Sequence, residues 1–66
     1  MRIIFNGKEE EVKEKIDLKQ FLESKSINPN VVACELNLQV IRRKDLGSTE
    51  LKNGDTLEVI RMIGGG

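Results

Sequence analysis

Apolar and polar residues alternate at both ends of this chain and fall at helical spacing between them. Met1, Ile3 and Phe5 share one parity and Arg2 and Ile4 the other, the period-two pattern of a strand. Asn6-Gly7 follows, a pair that accepts the positive φ values a two-residue hairpin turn requires. Lys8 to Lys13 reads as the return strand, with Glu9, Glu10 and Glu11 along it and Val12 as its main inward residue. That much charge suits an edge strand guarded against pairing with other chains. At Asp17 the period changes. Asp17 is a helix N-cap with Gln20 at the capping-box position, and Ile16 and Phe21 stand at the hydrophobic-staple positions. Leu18, Phe21 and Leu22 form one apolar face; Lys19, Glu23 and Lys25 point away. The helix is expected to end near Ser26, with Asn28-Pro29-Asn30 barring its continuation.

Beyond the proline the period returns to two. Val31 to Leu36 is a strand, Asn37-Leu38 turns it into Gln39-Val40-Ile41, and Arg42 to Thr49 is a polar connection with one short helical turn at Lys44–Leu46. Lys52-Asn53-Gly54-Asp55 is a tight turn, and Thr56 to Ile63 is the last strand. The order β-β-α-β-β-β belongs to the α+β class, with a mixed sheet of four to five strands packed on one helix. Parity assigns Met1, Ile3, Phe5, Val32, Cys34, Leu36, Leu57 and Val59 to the face the helix covers. Val31, Ala33, Glu35, Ile4, Ile60 and Met62 are left on the other. If the first and last strands are neighbours, Ile4, Ile60 and Met62 form an apolar stripe there, and a contiguous apolar patch marks a docking surface.

Composition removes several functional classes. Sixty-six residues make a single domain, which buries only about 60% of the surface its unfolded chain exposes and has no room for a deep cleft. There is no histidine and one cysteine, so a histidine base and a disulfide framework are excluded, and the residue types argue against a zinc site. Eleven basic and eleven acidic residues are interspersed, which argues against a nucleic-acid footprint. No stretch approaches the roughly 20 apolar residues of a membrane span. The expectation is a soluble cytoplasmic domain acting through a partner. Cys34, in Val-Val-Ala-Cys, reads as a core residue rather than a sulfur shuttle, because a reactive thiol needs a partly exposed, electropositive setting. Arg42-Arg43-Lys44 is either a solvated run or a steering element for an acidic partner. Arg61 either pairs with a partner's acid or covers the sheet edge with its stem.

The chain closes on Gly64-Gly65-Gly66 after that last strand. Glycine adds nothing to a core and loses the most entropy on ordering. Residues 1–63 are therefore expected to form the domain and residues 64–66 a flexible tail. Such a tail is either a frayed terminus or a thin probe able to enter a narrow channel and present the Gly66 carboxylate.

Ile3-Ile4-Phe5-Asn6-Gly7, the helix Leu18 to Leu22, Leu36-Asn37 with the hairpin into Val40-Ile41, Arg43, Leu51-Lys52-Asn53-Gly54-Asp55, and Leu57-Glu58-Val59-Ile60 ahead of Gly64-Gly65-Gly66 together resemble the ubiquitin-like, β-grasp sulfur carriers, most closely the thiamine-biosynthesis sulfur carrier family. Arg42 stands where that family often has proline, while Arg43 keeps its arginine. The resemblance implies a carrier and not an enzyme. A ubiquitin-activating-type adenylyltransferase would adenylate the Gly66 carboxylate with Mg-ATP; this chain itself would bind no cofactor and no metal. Sulfide derived from a persulfide donor would displace AMP, and the thiocarboxylate would pass its sulfur to thiazole synthase or another acceptor enzyme. Gly64 and Gly65 would let the backbone approach the partner closely, and Ile4, Ile60, Arg61 and Met62 would contact it. Alternatives are a carrier for molybdopterin, tungsten-pterin or amino-acid biosynthesis, a ubiquitin-like protein modifier, and an interaction domain with an inert tail.

Overall fold

The computed structural model describes residues 1–62. Five strands form one mixed sheet: β1 (Arg2–Phe5), β2 (Lys8–Glu11), β3 (Val32–Leu36), β4 (Gln39–Ile41) and β5 (Thr56–Arg61), in the order β2-β1-β5-β3-β4. One helix, α1 (Leu18–Ser24), crosses a single face. β1 and β5 run parallel; every other pair is antiparallel. The last strand of the sequence is thus the middle strand of the sheet, and that position sets up everything at its carboxyl end.

Two hairpins make this order possible. Asn6 and Gly7 have φ of 49° and 85°, and Asn37 and Leu38 have 51° and 70°, the doubly positive geometry whose twist matches flanking antiparallel strands. The Asn37 side chain also ties its hairpin to the start of β5. It accepts from the Thr56 N–H at 2.9 Å and donates to the Asp55 carboxylate at 2.9 Å.

The helix begins as its capping sequence predicts. The Asp17 carboxylate accepts from the Gln20 N–H at 2.8 Å, and the Gln20 side chain accepts from the Asp17 N–H at 3.1 Å. The far end falls near Ser26, as expected, but the proline is not what ends it. α1 stops at Ser24, before the proline has any effect, because Ser26 enters the left-handed region at φ 58°. The Ile27 N–H then bonds the Leu22 carbonyl at 2.9 Å and the Ser26 N–H bonds that of Glu23 at 3.0 Å. This is the Schellman arrangement, with serine where glycine is usual.

The core lies between α1 and the face assigned to it by parity. Ile3, Ile16, Leu18, Phe21, Leu22, Cys34, Leu46, Leu51 and Leu57 are all buried, with Met1, Phe5, Val12, Val32, Leu36 and Val59 packed against them. Phe5 meets Phe21 edge to face at 5.0 Å. Leu46 joins from a 3₁₀ segment, Arg43–Ser48, twice the length of the single turn expected there. β2 needs a correction too. Glu10 is not part of a solvated guard. Opposite Ile3 in register, it faces the covered side and pairs with Lys25 at the end of α1. The Lys25 ammonium also lies 5.8 Å from the Phe5 and Phe21 ring centroids, so an apparent surface charge closes the edge of the core.

Candidate functional site at the carboxyl end of the central strand

β5 is held to its end on the β3 side and as far as Val59 on the β1 side. Toward β3 the ladder pairs Glu58 with Glu35, Ile60 with Ala33 and Arg61 with Val32. It runs one residue past the strand, where the Met62 N–H bonds the Val31 carbonyl at 2.8 Å. Toward β1 the pairing stops at Phe5–Leu57, and the Asn6 side chain takes over. Its Oδ1 accepts from the Val59 N–H at 2.8 Å and its Nδ2 donates to the Val59 carbonyl at 3.4 Å. One asparagine thus serves both the turn and the strand edge, and its amide continues β1 by one residue.

The uncovered face grades along β5. Near the start, Ile4 sits beside Thr56. In the middle Glu58 and Glu35 lie side by side, with Val40 next to Glu35 on β4. Near the end, Ile60 is 60% and Met62 46% exposed, with Ala33 and Val31 alongside. Exposed apolar side chains thus stand where the chain leaves the sheet, and separately at Val40 and Leu38 of the β3–β4 hairpin.

Register corrects the expected stripe. Ile60 and Met62 stand together as parity implied. Ile4 does not join them, although β1 and β5 are neighbours. It pairs with Thr56, four positions before Ile60, roughly 13 Å away along a strand at about 3.3 Å per residue. Ile4 is also only half-exposed. Val31 and Ala33 take its place in the patch. Their outward parity was readable in the sequence; their register against β5 was not.

Arg61 has the opposite parity. It is exposed and lines a groove of about 330 Å³ on the helix side with Ser26, Ile27, Asn28 and Val59. Among the described residues it forms no ion pair. Cys34 is 2% exposed, and burial pushes its thiol above the ordinary value of 9.0. It is a core residue, as its apolar neighbours suggested, and burial disfavours the thiolate that a reactive cysteine needs. Among the described residues no group of three or more His, Cys, Asp or Glu is placed to hold a metal. Among the described residues no helix is long and apolar enough to cross a membrane. Gly64, Gly65 and Gly66, the expected tail and reactive group, lie outside the described residues, as does Ile63, the expected end of the last strand.

This fold and this end of the sheet have counterparts. The sequence profile of the ThiS family matches residues 2–66. The crystal structure of a thiamine biosynthesis protein (ThiS) from Geobacter metallireducens is similar with a TM-score of 0.88 and 30% identity, covering 100% of both chains. A solution structure of a thiamine biosynthesis protein from the same organism aligns at a TM-score of 0.81 and 30% identity, over 100% of this chain and 88% of the other. A thiazole synthase from Paramagnetospirillum magneticum is 27% identical over 66 residues. The chain spans only 20% of that protein's length.

Proposed function

The chain belongs to the ThiS family, and on that premise we propose that it carries sulfur on its Gly66 carboxylate for thiazole formation in thiamine biosynthesis. The observation that supports this most is the position of β5. A central strand, paired with β3 to its end and held on its other side as far as Val59, precedes the glycines, and exposed Ile60 and Met62 stand shortly before them in the chain. A rigid strand with an apolar grip beside a side-chain-free end is what delivery to another protein's active site requires.

The chemistry belongs to the partners. A carboxylate is a poor electrophile. In the proposed sequence its oxygen attacks the α-phosphorus of Mg-ATP held by a ubiquitin-activating-type adenylyltransferase, and pyrophosphate leaves. Phosphoryl transfer of this kind rests on positioning and charge that the adenylyltransferase supplies. The terminal sulfur of a persulfide donor attacks the carbonyl carbon and AMP leaves, giving an acyl disulfide. A thiol reductant then cleaves its S–S bond, releasing the thiocarboxylate and leaving the donor sulfur in a disulfide with that thiol. This chain's part is to bind and to place, as a carrier rather than an enzyme. Thiazole synthase as acceptor has independent support: a thiazole synthase contains within its own length a stretch similar to this whole chain. Joining a carrier to its acceptor turns their encounter into an intramolecular one.

ATP–pyrophosphate exchange with an activating adenylyltransferase tests the reading. Unaltered protein should support exchange and, after sulfide is added, show one carboxylate oxygen replaced by sulfur in its mass. A one-residue C-terminal extension, deletion of Gly66, or Gly65→Val should abolish exchange and leave the fold unchanged. Undiminished exchange from these variants would overturn the assignment of Gly66. Conjugates to lysines of other proteins, with no thiocarboxylate, would mark a protein modifier instead.

A further inference from the structure

Three cations meet on the helix side of the molecule with no carboxylate among them. Lys19 of α1, and Arg43 and Lys44 of the 3₁₀ segment, line one concavity of about 440 Å³ with Asn30, Leu46 and Gly47. None of the three belongs to an ion pair among the described residues, where the acids in pairs are Glu9, Glu10 and Asp45. The arrangement is held from beneath. Buried Leu46 anchors the 3₁₀ segment against the core, and the Arg43 guanidinium donates to the Asn30 carbonyl at 3.5 Å. In a chain of zero net charge this is a local excess of one sign, kept in place by the fold.

Its location adds meaning. Asn30 is followed by Val31, whose carbonyl holds the Met62 N–H. The Asn30 edge of the concavity therefore lies toward Met62, while its Lys19 edge belongs to the first turn of α1, beside the Leu18–Thr49 bond. The apolar patch is on the uncovered face at the Met62 end, and this cationic concavity is on the covered side. A protein receiving the glycines and extending past Asn30 along the covered side would meet both.

We propose that the concavity lined by Lys19, Arg43 and Lys44 seats an acidic segment, aspartate or glutamate side chains, of the protein that takes up the C-terminal glycines. The inference rests on the carrier reading for the identity of that protein, and on charge complementarity for its chemistry. Clusters of one sign speed encounter and fix orientation more than they raise affinity. The concavity thus sets the approach angle while Ile60 and Met62 supply the grip.

The test begins without any partner. Isotope-labelled protein is titrated with hexaglutamate, and in separate arms with inorganic phosphate and with sodium chloride at matched ionic strength. Hexaglutamate should give saturable amide shifts at Lys19, Asn30, Lys44 and Gly47 that neither salt reproduces. The exposed-residue variant Lys19→Gln/Arg43→Gln/Lys44→Gln should keep its dispersed spectrum and bind about tenfold more weakly, the loss expected for a few exposed charge pairs. Lys44→Gln alone should show a smaller loss in the same direction. Shifts equal to those in chloride, equal response to phosphate, or undiminished binding by the triple variant would each overturn the proposal. Pyrophosphate exchange then separates this from the carrier reading. The triple variant should need about tenfold more protein for half-maximal exchange, with an unchanged maximum and a flattened salt dependence. No exchange from unaltered protein would overturn the carrier reading and leave the hexaglutamate titration to decide the concavity.

Discussion

Val59 and Ile60 are consecutive residues on the same strand, yet Val59 packs against the core and Ile60 is 60% exposed. The same division runs through the whole sheet. One face contributes Ile3, Cys34 and Leu57 to the core beneath α1; the other leaves Ile60, Met62 and Val40 uncovered. Both faces hold branched apolar side chains, so hydrophobicity alone does not tell them apart. What differs is whether anything in the chain covers them. Among the described residues one seven-residue α-helix covers one face only. The covered face is spent on stability in a domain small enough to be marginal, and the open face is left for recognition. Substitutions on the two faces should therefore break different properties.

The largest effect is expected from the covered face. Phe21 is 1% exposed and meets Phe5 edge to face. Phe21→Ala should cost about 3–5 kcal/mol, a large share of the roughly 5–15 kcal/mol that holds a small domain together. Thermal unfolding followed by circular dichroism should show a lost or strongly lowered transition. A decrease of only a degree or two would mean that the helix contributes little, and that the two faces are less different than their burial suggests.

The mirror experiment is Ile60→Asp. On a surface at 60% exposure it should move stability by no more than about 0.5 kcal/mol, the usual range for such sites. If Ile60 anchors the activating partner, binding measured by calorimetry should weaken about 30-fold, the loss of a central apolar contact of about 2 kcal/mol. An unfolded Ile60→Asp protein would contradict the division of the faces. A folded one that binds unchanged would move the docking surface elsewhere.

The separation of the faces was legible in the sequence because a strand's side-chain period is two, and parity survives small errors in strand ends. The placement of residues along the strands was not. Ile4 has the correct parity to join Ile60 and Met62, but β1 meets β5 four positions too early. Only the short β1 and the Asn6 amide explain where that pairing stops, and neither is a pattern of hydrophobicity. Glu10 failed for a related reason. Its partner Lys25 is 15 positions away at the end of α1, and nothing local distinguishes it from Glu9 and Glu11. Lys19 and Lys44 likewise share a concavity only because the 3₁₀ segment packs beneath α1. Local signals with a fixed chemical partner, the Asp17–Gln20 capping box and the Asn6-Gly7 turn, were readable; the helix end near Ser26 was readable too, but not its left-handed cause, since serine seldom takes that role.

Cys34 sharpens the comparison from inside the covered face. Cys34→Ala should cost about 1 kcal/mol from a small cavity and leave thiocarboxylate formation intact, as read by mass spectrometry of the sulfur-loaded protein. The pH dependence has a defined sign. Burial raises the thiol above its ordinary value of 9.0, so the folded chain holds this proton more tightly than the unfolded chain. The contribution is full below the unfolded value and is lost as pH climbs from there through the folded value. The alkaline decline in stability should therefore be shallower in Cys34→Ala than in the unaltered protein. Loss of the thiocarboxylate in folded Cys34→Ala would give the thiol a chemical role after all.

The smallest effect is expected on the open side, at the tip of the β3–β4 hairpin. Leu38 is 90% exposed and sits at φ 70°, where a side chain costs about 1–2 kcal/mol. Leu38→Gly removes that strain and gives up almost no buried surface. It also restores chain entropy to the unfolded state, a penalty of roughly 0.5–1 kcal/mol. The balance is a gain of about 0.5 kcal/mol, or a rise in Tm of about 2–4 °C for a domain of this size. Asn37 ties this hairpin to Asp55 and Thr56, at the opposite end of β5 from Met62. Pyrophosphate exchange should therefore be unchanged. A higher Tm with normal exchange would show that the open face has two ends and that recognition belongs to the one beside Met62. A higher Tm with impaired exchange would place Leu38 in the docking surface, and its strained backbone would then be a feature of recognition.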